Sequence, residues 1–239
     1  MWTTSTILRQ FVCAVHYNAG VAAKDQSATG PQVDRSPRRG PRPRGTVRTA
    51  LVEAGLQLAR AGGPDAVVLR EVTRMVGAVP NAAYRHFADR DAFLAAVRDA
   101  AVGRLAQRMA AGISRVRARR GTPSGAQRRM RAVGQAYLEF ARTEPGLFDT
   151  AFALTEHHPA VFGSTEPVPL DYVRRALDEL VEAGLLEAGR RPNLEYPTWA
   201  SVHGLAVLLR GPLRSLSDRD KTQLEAQTLG FIGASLSWR

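Results

Sequence analysis

Residues 69–87 constrain this chain more than any other stretch. A run with helical spacing, Leu69, Val72 and Met75 or Val76, stops at Gly77. A second short segment, residues 80–85, follows at once and opens on Pro80, in the first turn, where a missing N–H costs least. Ala82 and Ala83 are small enough to let this segment pack closely on its neighbours. Two short helices about a tight glycine turn is the layout of a helix-turn-helix, whose second helix lies in a DNA major groove. That second segment and its end carry Asn81, Tyr84, Arg85 and His86 within two turns. Asn can read an adenine edge, Arg can read guanine or hold phosphate, and Tyr and His can bond phosphate oxygens.

Helical periodicity continues on both sides. Val47, Ala50, Leu51, Ala54, Leu58 and Ala61 form one stripe, and Gly62-Gly63-Pro64-Asp65 stops it. Asp89 fits as the N-cap of a long helix with Asp91 in its first turn. The stripe of that helix is Leu94, Val97, Ala101, Leu105, Met109, Ile113 and Val116. Beyond it, helices are predicted at residues 126–142, 147–154, from Leu170 to Gly184 or Gly189, at 192–209 and from Asp218 onward. No strand pattern competes. The expected fold is all-α: a basic leader (1–44), a three-helix DNA-binding domain (45–92) and, joined by the long helix, a helical domain (93–239).

Charge sharpens this. The net charge is +11, and only Lys24 and Lys221 are lysine. Arginine forks match phosphate and base edges better than a lysine point charge does. The excess is uneven: residues 93–133 hold ten basic residues and one acidic, whereas residues 134–239 hold ten and fourteen. The positive field is expected to flank the helix-turn-helix, leaving the mildly acidic second half for another task. The leader is rich in Gly, Pro and Arg around residues 38–44 and reads either as a disordered tail or misassigned start, or as a basic arm along the DNA backbone.

At this point a resemblance is plain. Residues 46–94 resemble the DNA-binding domain of the TetR/AcrR family of transcriptional regulators, through Ala54-Gly55-Leu56, Leu69-Arg70-Glu71-Val72, Tyr84-Arg85-His86-Phe87 and Asp89-Arg90-Asp91-Ala92-Phe93-Leu94. The resemblance implies that Asn81, Tyr84 and His86 touch DNA and that Arg90 holds a phosphate, while Phe87 is a core residue. Arg85 and Arg48 complete the expected DNA contacts. Two positions depart from the family. Val79 stands where a hydroxyl N-cap is usual, a loss of about 1 kcal/mol that Pro80 partly offsets. Thr73 stands where the family favours Ala.

The second half resembles a Trp-His-Gly branch of the same family, through Trp199-x-x-x-His203-Gly204, Tyr137-Leu138-Glu139-Phe140-Ala141 and Pro145-Gly146-Leu147-Phe148. This implies an effector domain whose last two helices pair with a second copy in a four-helix bundle. Trp199, Val202, Leu209, Leu229, Ile232 and Leu236 are the expected interface, because apolar and small residues occupy more than one face of those helices. Tyr137, Phe140, Phe148, Phe152, Trp199 and His203 are expected around a cavity for a small apolar or aromatic effector. His203 is its expected hydrogen-bond partner, the competing reading being a histidine bonded within the core.

Enzyme chemistry finds little support. There is no phosphate-cradling glycine loop, and no serine sits in a nucleophile elbow. His157 and His158 are adjacent and cannot both meet one ion from a helix face, so no metal or cofactor is expected. The sole cysteine, Cys13, allows no intrachain disulfide and fits a reducing cytoplasm. No apolar run reaches the length of a membrane span. The expected function is a one-component regulator, more a repressor than an activator. A structural DNA-binding protein without effector, or a helical enzyme, is the alternative.

Overall fold

The computed structural model describes residues 44–79, 83–153 and 168–237. Residues 1–43 of the leader, Pro80-Asn81-Ala82 and His157-His158 lie outside the described residues. The architecture is helical throughout, with no strand among the described residues.

The first helix, α1 (Arg44–Gly62), buries Leu51, Ala54, Leu56 and Ala59. Ala61, expected on the inner stripe, is exposed, because the buried face has rotated onto Leu56 and Ala59. A short helical turn, Pro64–Ala66, leads to α2 (Leu69–Met75). Leu69 and Val72 point inward, and Val76 rather than Met75 completes that face; Met75 is 39% exposed.

The long helix α3 (Arg90–Ser114) starts as anticipated: the Asp89 carboxylate accepts the Ala92 N–H at 2.7 Å. Its inner face is Phe93, Val97, Ala101, Leu105 and Met109, all with no exposed surface. Against it pack α4 (Pro123–Thr143), α5 (Pro145–Phe152) and α6 (Pro169–Glu182). The Thr122 hydroxyl caps α4 by accepting the Gly125 N–H, and Asp171 reaches back to the Val168 N–H at the start of α6. The last two helices are α7 (Glu195–Arg210) and α8 (Asp218–Ser237).

One buried ion pair fixes this arrangement. Arg129 on α4 donates to Glu179 on α6 at 2.7 Å through Nε and makes a second, shorter bond to the same carboxylate. It also donates to the carbonyls of Ala118 and Arg119, closing the loop between α3 and α4. The guanidinium holds the Glu179 carboxyl below its usual range. Removing either partner would strand a buried charge, so the pair sets geometry as much as stability.

α1 is clamped to the helices behind it. Glu53 takes a forked bond from Arg104 on α3 at 2.8 and 2.9 Å, and Arg60 donates to Glu144 at 2.7 Å. Gly146, in the first turn of α5, lies directly against the end of α1: a Cβ there would fall 2.1 Å from the Ala59 carbonyl oxygen. Only glycine allows that approach.

Candidate nucleic-acid interface and effector cavity

The turn after α2 is built by Gly77, which takes φ 65°, a conformation costly for any side chain. The Ala78 N–H bonds the Thr73 carbonyl at 2.9 Å and the Gly77 N–H bonds the Arg74 carbonyl at 3.2 Å, the paired bonds that end a helix on a left-handed residue. Thr73 is 1% exposed, yet its hydroxyl donates to the Arg70 carbonyl at 2.9 Å, so this departure from the family leaves no stranded polar group.

The chain is again helical at Ala83 and Tyr84 and turns at Arg85 and His86. Ala83 is fully buried, and its carbonyl accepts from both the His86 and Phe87 N–H groups. Phe87 is 4% exposed and meets Phe93 edge-on, ring centroids 5.0 Å apart, which locks the segment to α3. With those residues inward, the polar ones face out. Tyr84 is 56% exposed, Arg85 and Arg90 are exposed, and His86 is half-buried. Arg48 on α1 joins them, its guanidinium 5.0 Å from the centre of the Phe87 ring. Asn81 lies outside the described residues.

The arginine-rich stretch is placed differently from the expectation. Of its residues, Arg98 is buried, Arg104 is held by Glu53 and Arg129 by Glu179. Arg108, Arg115, Arg117, Arg128 and Arg131 line a groove between α3 and α4. At 1.5 Å per residue, α3 carries the chain about 37 Å from Arg90 to Arg115. This positive field therefore does not flank the reading segment; the helix takes it to the opposite end.

Further back lies a cavity of about 210 Å³, formed by α3, α4, α6, α7 and α8. Met109, Met130, Val133, Val173, Leu180 and Leu229 give it apolar walls, with Tyr137 and Trp199 beside them. Of the six expected ligand residues only Tyr137 and Trp199 line it. Phe148, Phe152 and His203 pack behind Tyr137 as an aromatic cluster: Tyr137 meets Phe148 edge-on at 5.8 Å, and His203 stacks on Phe148 at 5.7 Å. Phe140 is a core residue, 2% exposed. The Tyr137 hydroxyl and His203 Nδ1 are 2.6 Å apart and hydrogen-bonded. Burial holds the Tyr137 hydroxyl protonated, well above its ordinary range, and pushes the His203 imidazole down toward its neutral form. The described partner of His203 is thus a residue of its own chain.

Most of the expected interface residues lie inside the single chain. Leu229, Ile232 and Leu236 are 9%, 6% and 4% exposed within the single chain. Together with Trp199 and Val202 they line the cavity, and Leu209 packs half-buried against the core. The apolar groups that α7 and α8 turn outward are Leu208 and Phe231, 45% and 68% exposed. The physical reason is that the dominant apolar stripe of each helix covers the chain's own core first.

Cavity residues that sequence reading missed include Gln127, Arg131 and Thr198. They come from different helices, and no spacing along the chain marks them. Among the described residues, no three His, Cys, Asp or Glu side chains gather as a metal site, and no helix is long and apolar enough to cross a membrane.

Comparison with known proteins agrees with this geometry. Residues 130–229 match the family model described as the C-terminal domain of Tetracyclin repressor-like proteins. No protein with a curated description matches the chain. Among solved structures, a protein of unknown function from Rhodococcus sp. RHA1 superposes with a TM-score of 0.64 at 21% identity, covering 80% of this chain and 96% of that one. A protein assigned to the TetR family from Shewanella sp. PV-4 gives 0.55 at 15% identity, covering 83% and 100%. A TetR-family transcriptional regulator from Streptomyces coelicolor gives 0.52 at 22% identity, covering 80% and 83%. These likenesses show the fold. The family model assigns residues 130–229 to the C-terminal domain of Tetracyclin repressor-like proteins, and the solved structures share the fold of the chain as a whole.

Proposed function

We propose that this protein is a one-component repressor that acts as a dimer and leaves a near-palindromic operator when a small, largely apolar effector fills the 210 Å³ cavity. The observation that carries the reading is a single one. One chain joins an outward Tyr84-Arg85 pair, at the end of the second segment of a helix-turn-helix, to an apolar cavity through one continuous helix, α3.

The proposed division is a reading head over residues 45–92 and an effector and dimerisation domain over 93–239. Tyr84, His86, Arg90 and Arg48 hold phosphates, while Asn81 and Arg85 face base edges. The dimer forms through the outward faces of α7 and α8, where Phe231 and Leu208 supply apolar area and Gly204 has open space above it. Two-fold symmetry then calls for half-sites about one helical turn apart, or a multiple of it.

The lever is linkage. Tyr137 lines the cavity and packs on Phe148 of α5, and the first turn of α5 rests on the end of α1 through Gly146 and the Arg60–Glu144 bond. An effector that shifts Tyr137 moves α5 and hence the head. It must weaken DNA binding by the factor by which DNA weakens its own binding.

Selection from a random duplex pool tests this. The purified protein should enrich one near-palindromic sequence, at two subunits per site. Enrichment of no sequence, with equal retention of all duplexes, would leave a structural DNA-binding protein as the better reading.

A further inference from the structure

We propose that the effector is an amphiphilic anion, whose apolar ring or chain fills the cavity and whose carboxylate or phosphate meets Arg131 at its mouth. This rests on the reading of the cavity as the effector site and adds the charge of its occupant.

The volume sets the apolar part. At about 210 Å³ the space exceeds the roughly 150 Å³ that accommodates benzene in an apolar protein cavity. It suits one substituted ring or a short alkyl chain.

The polar groups set the rest. Five lining side chains can bond a guest: Tyr137, Thr198, Trp199 through its indole N–H, Gln127 and Arg131. The first two are engaged within the chain, Tyr137 with His203 at 2.6 Å and Thr198 with the Leu194 carbonyl at 2.8 Å. Gln127 and Arg131 make no hydrogen bond or ion pair among the described residues, and both are exposed at the edge of the cavity. No carboxylate lines the cavity. A cation would therefore meet a positive charge and no counter-charge, whereas an anion meets a free guanidinium with a fork suited to carboxylate or phosphate.

Arg131 also belongs to the arginine groove between α3 and α4, so it stands where the apolar cavity and the positive field meet. In that groove Glu139 is the one carboxylate, and it is paired with Arg108 at 3.3 Å. Arg115, Arg117, Arg128 and Arg131 have no ion-pair partner among the described residues. Their summed field favours an anion at the mouth and disfavours a cation. The displaced charge of residues 93–133, which the reading head does not use, acquires a role here.

Calorimetric titration of the full chain with octanoate, octanol and octylammonium, at low and high salt, tests the inference. These probes share one chain and differ in charge. Octanoate should bind more tightly than octanol, and octylammonium least. The octanoate-to-octanol affinity ratio should fall about tenfold in Arg131→Gln, remain near the wild-type value in Arg131→Lys, and fall with ionic strength in the wild type. Arg131 is exposed, so neither change threatens folding. A ratio unchanged by Arg131→Gln overturns the anionic assignment and leaves the cavity as an effector site for neutral guests. Failure of all three probes to bind overturns the cavity reading itself, and this inference with it.

Discussion

Replacing His203 by phenylalanine separates a ligand-binding histidine from a structural one. In the folded chain His203 bonds the Tyr137 hydroxyl at 2.6 Å, and the Tyr137 side chain is 2% exposed. A phenyl ring in its place would keep the contacts with Phe148 and Phe152 but leave that hydroxyl buried without its partner. A stranded buried hydroxyl costs about 1–3 kcal/mol. For a chain of this size each kcal/mol lowers Tm by about 2–4 °C, so a fall of several degrees is expected. Tyr137→Phe should cost about 1 kcal/mol, since half-buried His203 can turn to water. The double variant should cost less than the two singles together, with a coupling of about 1 kcal/mol. Equilibrium urea unfolding at one protein concentration measures all four proteins, and an unchanged m-value keeps the comparison valid. The pH dependence adds a sign. Burial lowers the folded-state pKa of His203 below its ordinary 6.5. Above that pH neither state is protonated and stability is full. As pH falls below it, the unfolded chain takes up a proton that the folded chain resists, and stability declines until the folded pKa is reached. The wild-type advantage over His203→Phe should therefore shrink in acid. Equal stability of the two proteins, or an advantage that grows in acid, would refute the structural assignment of His203.

Tyr84→Phe and His86→Ala should each weaken operator binding by about 1 kcal/mol without loss of helicity, and Asn81→Ala should relax base preference, with about 1–3 kcal/mol of discrimination lost; mobility shifts against the selected site and its base variants measure both. Phe231→Glu should give folded monomers in sedimentation, whereas Ile232→Glu should unfold the chain, because it places an unpaired charge in the core; an intact dimer for Phe231→Glu would move the interface elsewhere. Gly146→Val should destabilise by about 1–3 kcal/mol or more and loosen the head, since the new side chain strikes the Ala59 carbonyl; a protein with wild-type melting and operator affinity would remove that contact from the coupling route. Deleting residues 1–44 should lower affinity for all duplexes alike and flatten its salt dependence, if the leader neutralises phosphates.

The local elements could be read straight from the residues. Asp89 caps α3 because a carboxylate one residue before a helix can take its orphan N–H groups, and Gly77 ends α2 because only glycine enters that turn without strain. The inner stripe of α3 was legible from Val97 to Met109 because the helix buries one broad face, although Phe93 rather than Leu94 opens it. The outward Tyr84 and Arg85 were legible for the same reason, once Ala83 and Phe87 were assigned inward. Packing settled which of two apolar faces on α7 and α8 serves the chain itself. Periodicity marks Leu229, Ile232 and Leu236 as a stripe but says nothing of what covers it, and here the chain's own α4 and cavity do. Packing also divided the aromatic residues, leaving Tyr137 and Trp199 at the cavity and Phe148, Phe152 and His203 behind them. Finally it carried the arginines of residues 93–133 away from the reading head, because a 25-residue helix turns nearness along the chain into distance in space.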